Sequence, residues 1–200
     1  MKLLVATQNP GKMRELRLLL APLDADICFP PDIGLHMDVT EDGDTYVENA
    51  RQKALAYARA SGLLSLADDS GLEVDALDGA PGIRSARYTP GHDLDRVEAL
   101  LARLQGVPAE RRTARFRCVV IVASPGGETY SAEGVCEGRI AFEPAGRGGF
   151  GYDPVFFLPE YHCTMAQLAQ EEKNRISHRA RAIAAALPTL RQLLAQGASG

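Results

Sequence analysis

Leu3-Leu4-Val5-Ala6-Thr7-Gln8-Asn9-Pro10-Gly11-Lys12 is the stretch whose reading decides the fold class. Leu3 to Thr7 is a short apolar strand, Asn9-Pro10-Gly11 closes it in a tight turn, and Met13 to Leu20 then repeats apolar residues at helical spacing. A strand feeding a helix through a turn is the opening of an α/β unit, and the pattern recurs downstream. Thr45-x-x-Glu48 is a capping box that opens a helix to about Ser61-Gly62, with Tyr46, Ala50, Ala54 and Tyr57 as its buried stripe. Leu63 to Ala67 is a second short buried strand, expected to end at Asp68-Asp69-Ser70-Gly71.

Further along, Asp93 to Gln105 carries Leu94, Val97, Leu100, Leu101 and Leu104 at helical spacing and is stopped by Gly106 and Pro108. Phe116 to Ala123 is β-rich, Pro125-Gly126-Gly127 is a turn, and Thr129 to Val135 returns as its hairpin partner. Gly138 to Glu143 is expected as a further strand. Thr164-x-x-Gln167 caps a helix, and Ser177 caps another in which Pro188 is expected to make a kink or break. Helices and strands intermixed, with one hairpin section, predict an α/β fold: a mixed β-sheet with flanking helices.

Two hundred residues make one ordinary domain, or two small lobes sharing a core. A net charge of -4 argues against a duplex-DNA binder, which needs a basic face. The apolar run at the N-terminus is too short for a signal peptide, and no stretch approaches the length of a membrane span. Cys28, Cys118, Cys136 and Cys163 form no C-x-x-C pair and are expected to be reduced thiols of a cytosolic protein. Only four of the 22 cationic side chains are lysine: Lys2, Lys12, Lys53 and Lys173. A chain that uses arginine elsewhere has a chemical reason to look for where it keeps lysine.

Five constellations carry chemistry-bearing residues. In Thr7-Gln8-Asn9-Pro10-Gly11-Lys12 the turn aims backbone N–H groups at one point, the helix start adds positive potential and Lys12 adds a full charge, a layout suited to a phosphate chain. It is not a Walker loop, and an ordinary β–α connection with an exposed lysine fits it as well. Asp68 and Asp69, with Glu41 in a polar stretch before a helix, are oxygen donors of the kind that hold Mg²⁺ together with substrate phosphate. The adjacent pair favours function; Glu41 by itself reads as a solvated acid. Asn49 and Lys53 stand at i, i+4 beside the buried stripe, where a lysine ordinarily snorkels to water. Gly148-Gly149-Phe150-Gly151-Tyr152-Asp153-Pro154 offers backbone approach and a stacking ring for a flat ligand, though plain turns contain such glycines too. Glu171 to Arg179 gathers Lys173, His178 and Arg179 near a helix start, and read alone is a solvated charged face.

In order and at matching spacing, these strings resemble the inosine/xanthosine triphosphate pyrophosphatases. The resemblance runs from T-x-N-x-x-K at Thr7 through E-N-A at Glu48, A-D-D-S-G-L at Ala67, G-A-P-G-I-R-S-A-R-Y at Gly79 and G-G-F-G-Y-D-P at Gly148 to E-E-K-x-x-I-S-H-R ending at Arg179. It implies hydrolysis of ITP, dITP and XTP to the nucleoside monophosphate and pyrophosphate with Mg²⁺. It implies a two-lobed fold with the site in a central cleft, and a homodimer acting on a purine nucleoside triphosphate. The residues themselves give one domain over 1–195, a flexible tail over 196–200 from its Gly- and Ser-rich composition, a cytoplasmic location, and no nucleic-acid or membrane partner. Carried over residue by residue, Thr7, Gln8, Asn9, Pro10, Gly11 and Lys12 hold the triphosphate together with Lys53 and Ser70. Glu41 and Asp69 coordinate the metal, and Asp69 is the general base. Phe150, Gly151, Tyr152, Asp153, Lys173, His178 and Arg179 hold the purine and its sugar, and the Arg179 fork pairs with a 6-oxo group. Two other readings stand beside this one: a pyrophosphatase of the same fold acting on other modified nucleotides, and a non-catalytic nucleotide sensor. Two adjacent acids beside a triphosphate, unexplained without a metal, weigh against the sensor.

Overall fold

In the structure, a computed structural model that describes residues 1–197, the opening stretch becomes strand β1 (Lys2–Val5) and helix α1 (Pro10–Leu20). Asn9 starts α1: its backbone is extended, its Oδ1 accepts from Lys12 N at 3.1 Å, and Pro10 takes the first turn, where a missing N–H costs nothing. Strand β2 (Asp26–Cys28) follows, then α2 (Tyr46–Ser61), β3 (Leu64–Val74), α3 (Asp93–Arg103), β4 (Thr113–Ala123), β5 (Thr129–Ile140), β6 (Phe156–Leu158), β7 (Cys163–Thr164), α4 (Gln170–Ile176) and α5 (His178–Gly197). The strands form one sheet in the order β2-β1-β3-β4-β5-β6-β7. β1 is parallel to β2 and β3, whereas β6 is antiparallel to β5 and β7, so the sheet is mixed and the fold α/β, as expected. Among the described residues no helix is long and apolar enough to cross a membrane.

Local chemistry explains the elements. The Thr45–Glu48 capping box forms in both directions, and α2 ends at Gly62 in the left-handed region. The β4–β5 turn closes with Ser124 N on Glu128 O at 2.9 Å; Gly127 takes φ +99°, which any side chain would resist.

Five expectations are corrected. β3 does not stop at Asp68 but runs through Asp68-Asp69-Ser70-Gly71 to Val74, because the apolar pattern resumes at buried Leu72 and Val74 and the two acids find side-chain partners. The strand expected at Gly138–Glu143 is instead the end of β5. Gly138 marks close approach and no break: a Cβ there would lie 2.6 Å from the Phe156 ring and 2.7 Å from Phe157 O. The Thr164/Gln167 box caps a single 3₁₀ turn, and extended Leu168 separates it from α4. Pro188 lies inside a continuous α5, and Gln196 and Gly197, expected as tail, belong to that helix; 198–200 lie outside the described residues.

The chain divides into two compact units, one of Met1–Asp69, Cys118–Gly134 and the chain from Arg179 on, the other of Ser70–Arg117 and Val135–His178. The first has a core of Leu3 and Val5 (β1), Leu16 and Leu20 (α1), Leu64 and Leu66 (β3), Cys118, Val120 and Val122 (β4), and Ile183, Ala186, Leu190 and Leu194 (α5). The alternate residues Leu4, Val119 and Ile121 are buried as well, so both faces of this part of the sheet are covered, as parallel strands require. Each fully buried leucine contributes about 1.5–3 kcal/mol. The second core gathers Leu72, Val97, Leu100, Phe116, Ile140, Tyr152 and Phe156.

Candidate active site

Consecutive residues of a strand point to opposite faces, so β3 sends Asp68 and Asp69 to different neighbours. Asp68 is fully buried and faces α1 and the start of α5. Its Oδ2 lies 3.0 Å from Lys12 Nζ and accepts from Arg179 Nε and Nη2 at 3.2 and 3.1 Å. Arg179 Nη1 donates to Glu15 Oε2 at 2.5 Å, so Lys12, Asp68, Arg179 and Glu15 form a continuous chain of alternating charge. Burial alone would push the Asp68 carboxyl up; Lys12, Arg179 and Lys53 outweigh it and hold the group well below the usual carboxylate range. Lys12 is thereby fixed at the end of the Thr7–Lys12 turn, whose shape is set by Asn9 N donating to Thr7 Oγ1 at 3.2 Å and by the Asn9 cap.

Asp69 faces α2, where Asn49 Nδ2 donates to its Oδ2 at 3.1 Å. The loop carrying Glu41 is tied to the same helix one residue at a time. Lys53 Nζ pairs with Glu41 Oε1, Gln52 Nε2 donates to Asp42 Oδ1 at 3.1 Å, Gly43 N donates to Asn49 Oδ1 at 2.9 Å, and Asp44 N donates to Glu48 Oε2 at 2.9 Å. Burial raises the Asp69 carboxyl, and the charge of Glu41 adds to that, against the pull of Lys12, Asn49 and Lys53. Lys53 stays above its ordinary value despite burial because Asp68 and Glu41 surround it with negative charge. A cavity of about 660 Å³ opens beside these groups, lined by Thr7, Gln8, Glu41, Lys53, Tyr57 and the segment 36–39. Gln8 Nε2 and Tyr57 OH both donate to Met37 O at 3.1 Å, closing one wall.

The second unit holds a separate constellation. Asp153 Oδ2 accepts from Phe150 N at 2.8 Å and from Lys173 Nζ at 2.5 Å, both side chains of that ion pair being buried. Lys173 Nζ lies 5.2 Å from the Phe150 ring centroid. Gly149 has φ +71°, and a Cβ there would sit 2.0 Å from Asp153 Oδ2, so glycine is required. Gly151 N donates to Asp93 Oδ2 at 2.6 Å, and Tyr152 OH to Ser85 O at 3.0 Å. Burial pushes the Tyr152 phenol up. His178 stacks on Phe116 with centroids 4.7 Å apart.

Thus the first unit brings together Thr7, Gln8, Asn9, Pro10, Gly11, Lys12, Glu41, Lys53 and Asp69, and the second Phe150, Gly151, Tyr152, Asp153 and Lys173, with His178 of the same unit stacked on Phe116. Ser70 follows Asp69 on β3. Arg179 departs from the expectation that its fork faces a base: it is buried in the first unit and directed at two carboxylates. Residues not foreseen are Glu15, Ser85 and Asp93, and Asn49 is expected only as a neighbour of Lys53, without a role. An acid one helical turn after Lys12 among the leucines of α1 was the signal for Glu15; Asn49 had only its place beside a buried stripe.

As for a metal, among the described residues no three or more His, Cys, Asp or Glu side chains gather closely enough to hold an ion by themselves. Glu41 and Asp69 are hard oxygen donors whose like charges raise Asp69, a donor set that suits a divalent cation sharing its shell with water and substrate phosphate.

Residues 3–189 match the model of the Ham1 family. The chain is 51% identical over 195 residues to the dITP/XTP pyrophosphatase of Desulforamulus reducens, covering 96% of this chain and 97% of that protein. It is 47% identical to the dITP/XTP pyrophosphatase of Bacillus subtilis, covering 90% and 92%. Among solved structures, a HAM1 protein from Coxiella burnetii superimposes with a TM-score of 0.84 at 38% identity, covering 98% of this chain and 99% of that one. The nucleoside-triphosphatase/dITP/XTP pyrophosphatase of Mycobacterium abscessus does so with a TM-score of 0.75 at 43% identity, covering 94% and 100%. On the family match and on these full-length identities, the chain belongs to the Ham1 family.

Proposed function

We propose that this protein hydrolyses the non-standard purine nucleoside triphosphates ITP, dITP and XTP to the monophosphate and pyrophosphate, removing them from the nucleotide pool. The observation that carries the reading is the full-length identity to dITP/XTP pyrophosphatases, together with Lys53 and Glu41 lining one cavity of the first unit. The backbone of Thr7 to Gly11, Lys12, Lys53 and Ser70 hold the triphosphate. Glu41 and Asp69 hold Mg²⁺, which when bound neutralises charge on the phosphate oxygens.

Asp69 takes the proton of the attacking water at the α-phosphorus, and Lys12 and Lys53 stabilise the charge that develops on the departing pyrophosphate. The Glu15–Arg179–Asp68 chain does not touch the phosphates; it holds Lys12 where it is needed. Phe150 supplies a stacking face, and Gly151, Tyr152, Asp153, Lys173 and His178 enclose the purine and sugar. Lys173 carries donors only, so it suits the 6-oxo acceptor of inosine and xanthosine and not the 6-amino donor of adenosine. Following the family resemblance, the enzyme works as a homodimer in the cytoplasm, a state that light scattering tests. Asp69→Asn tests the mechanism: pyrophosphate release from ITP is expected to fall by about 10²–10⁴ with the circular dichroism spectrum unchanged. Turnover within a few-fold of wild type removes Asp69 from its role.

A further inference from the structure

Asn49 hydrogen-bonds to both carboxylate-bearing segments of the first unit. It is 1% exposed, and its carboxamide is used at both ends: Oδ1 accepts from Gly43 N at 2.9 Å, and Nδ2 donates to Asp69 Oδ2 at 3.1 Å. Gly43 lies two residues from Glu41 and is pressed onto the start of α2, where a Cβ would meet Glu48 Cβ at 2.7 Å and Asn49 Oδ1 at 3.0 Å. Gln52 and Glu48 tie this loop to α2 alone, whereas Lys53 pairs with Glu41 and reaches Asp69 through its charge. Only a side chain with a donor and an acceptor a fixed distance apart can clamp a backbone N–H and a carboxylate at once. A carboxamide has that geometry, and aspartate or leucine of the same size does not.

From this geometry we infer that Asn49 is a positioning residue that sets the spacing and orientation of Glu41 and Asp69 for a divalent cation. It binds neither substrate nor metal. Nδ2–H fixes Asp69 Oδ2 and Oδ1 fixes the loop that carries Glu41, so one side chain sets both carboxylates that would hold the ion. The inference rests on the metal reading above and adds to it the residue that builds the site. Partners of metal-ligating side chains commonly change metal affinity by about 10–100-fold when removed.

The test is Mn²⁺ binding by electron paramagnetic resonance, on enzyme carrying α,β-methylene ITP, which is not hydrolysed. Asn49→Ala is compared with Gln52→Ala, which cuts a tie of the same loop without touching Asp69. Asn49→Ala is expected to weaken Mn²⁺ by about 10–100-fold, and to raise the Mg²⁺ concentration for half-maximal turnover by the same factor. At saturating Mg²⁺ the KM for ITP stays near wild type, and Gln52→Ala binds Mn²⁺ like wild type. If Asn49→Ala does not fold, Asn49→Ser, whose hydroxyl is too short to span both partners, is measured in its place with the same expectation. Unchanged Mn²⁺ affinity in the Asn49 variant, or equal weakening in Gln52→Ala, overturns the inference and leaves the metal reading intact. Absence of Mn²⁺ binding by the wild type overturns both.

Discussion

Replacing Asp68 by Asn keeps the size and shape of the side chain and removes one charge from the centre of the Lys12–Asp68–Arg179–Glu15 chain. Asp68 is fully exposure-free and Arg179 is 1% exposed, with contacts of 3.0–3.2 Å from Asp68 Oδ2 to Lys12 and Arg179. Water cannot replace the lost carboxylate there, so two cations are left facing one remaining acid. Breaking a buried ion pair on one side costs about 3–5 kcal/mol. In a chain of this length each kcal/mol moves the midpoint by roughly 2–4 °C, so Asp68→Asn should lower Tm by about 6–20 °C. Calorimetry measures the shift, and urea titration gives the free energy separately.

The same network fixes the sign of a pH effect. The folded carboxyl of Asp68 lies below its ordinary value of about 3.9. The charged form is therefore favoured by folding; its contribution is complete above that ordinary value and is lost as pH falls from about 4 toward the lower folded value. The stability gap between wild type and Asp68→Asn should be constant near neutrality and close in acid. A loss under about 1 kcal/mol, the worth of an exposed pair, or a gap that does not narrow in acid, refutes the reasoning.

Lys12→Arg and Lys53→Arg preserve charge but replace a compact ammonium by a planar fork; each should lower kcat/KM for ITP at least about tenfold, the loss of one charge-assisted contact. Steady-state kinetics checks this, and unchanged values contradict it. Gly149→Ala puts a methyl where φ is +71° and Asp153 Oδ2 is 2.0 Å away. It should raise KM for ITP and lower stability by about 1–2 kcal/mol or more in urea titration, whereas full tolerance would mean that the Lys173–Asp153 pair is not fixed. Tyr152→Phe removes the hydrogen bond to Ser85 O and should cost about 1–3 kcal/mol, since a buried carbonyl loses its partner; urea titration reads the loss, and no loss contradicts the contact.

β1, the β4–β5 hairpin, α1 and α2 are legible because their signals are local: an apolar run, tight turns, a capping box; the two- to three-residue strands β2, β6 and β7 carry no such signal. Asp68-Asp69-Ser70-Gly71 reads as the end of a strand because its composition is polar and glycine-bearing, while its conformation is decided by burial on both sides in β3. That error hid the division of labour between the two acids, which follows from strand alternation and from nothing else in the string. Arg179 is expected at a base on the family resemblance alone. Its contacts lie with Asp68, 111 residues away, and Glu15, 164 away, separations that no spacing rule reaches. The glycines around Phe150 are read as room for a flat ligand, whereas at Gly149 the structure gives a different reason, the Asp153 oxygen beside it.

Pyrophosphate release from ITP, dITP, XTP and ATP, each with and without Mg²⁺, tests the central claim most directly. The account predicts turnover of the first three that requires Mg²⁺, with kcat/KM for ITP exceeding that for ATP by about 10² or more, as expected when donors are matched to a 6-oxo group. Equal rates on ITP and ATP, or turnover independent of the metal, would contradict it.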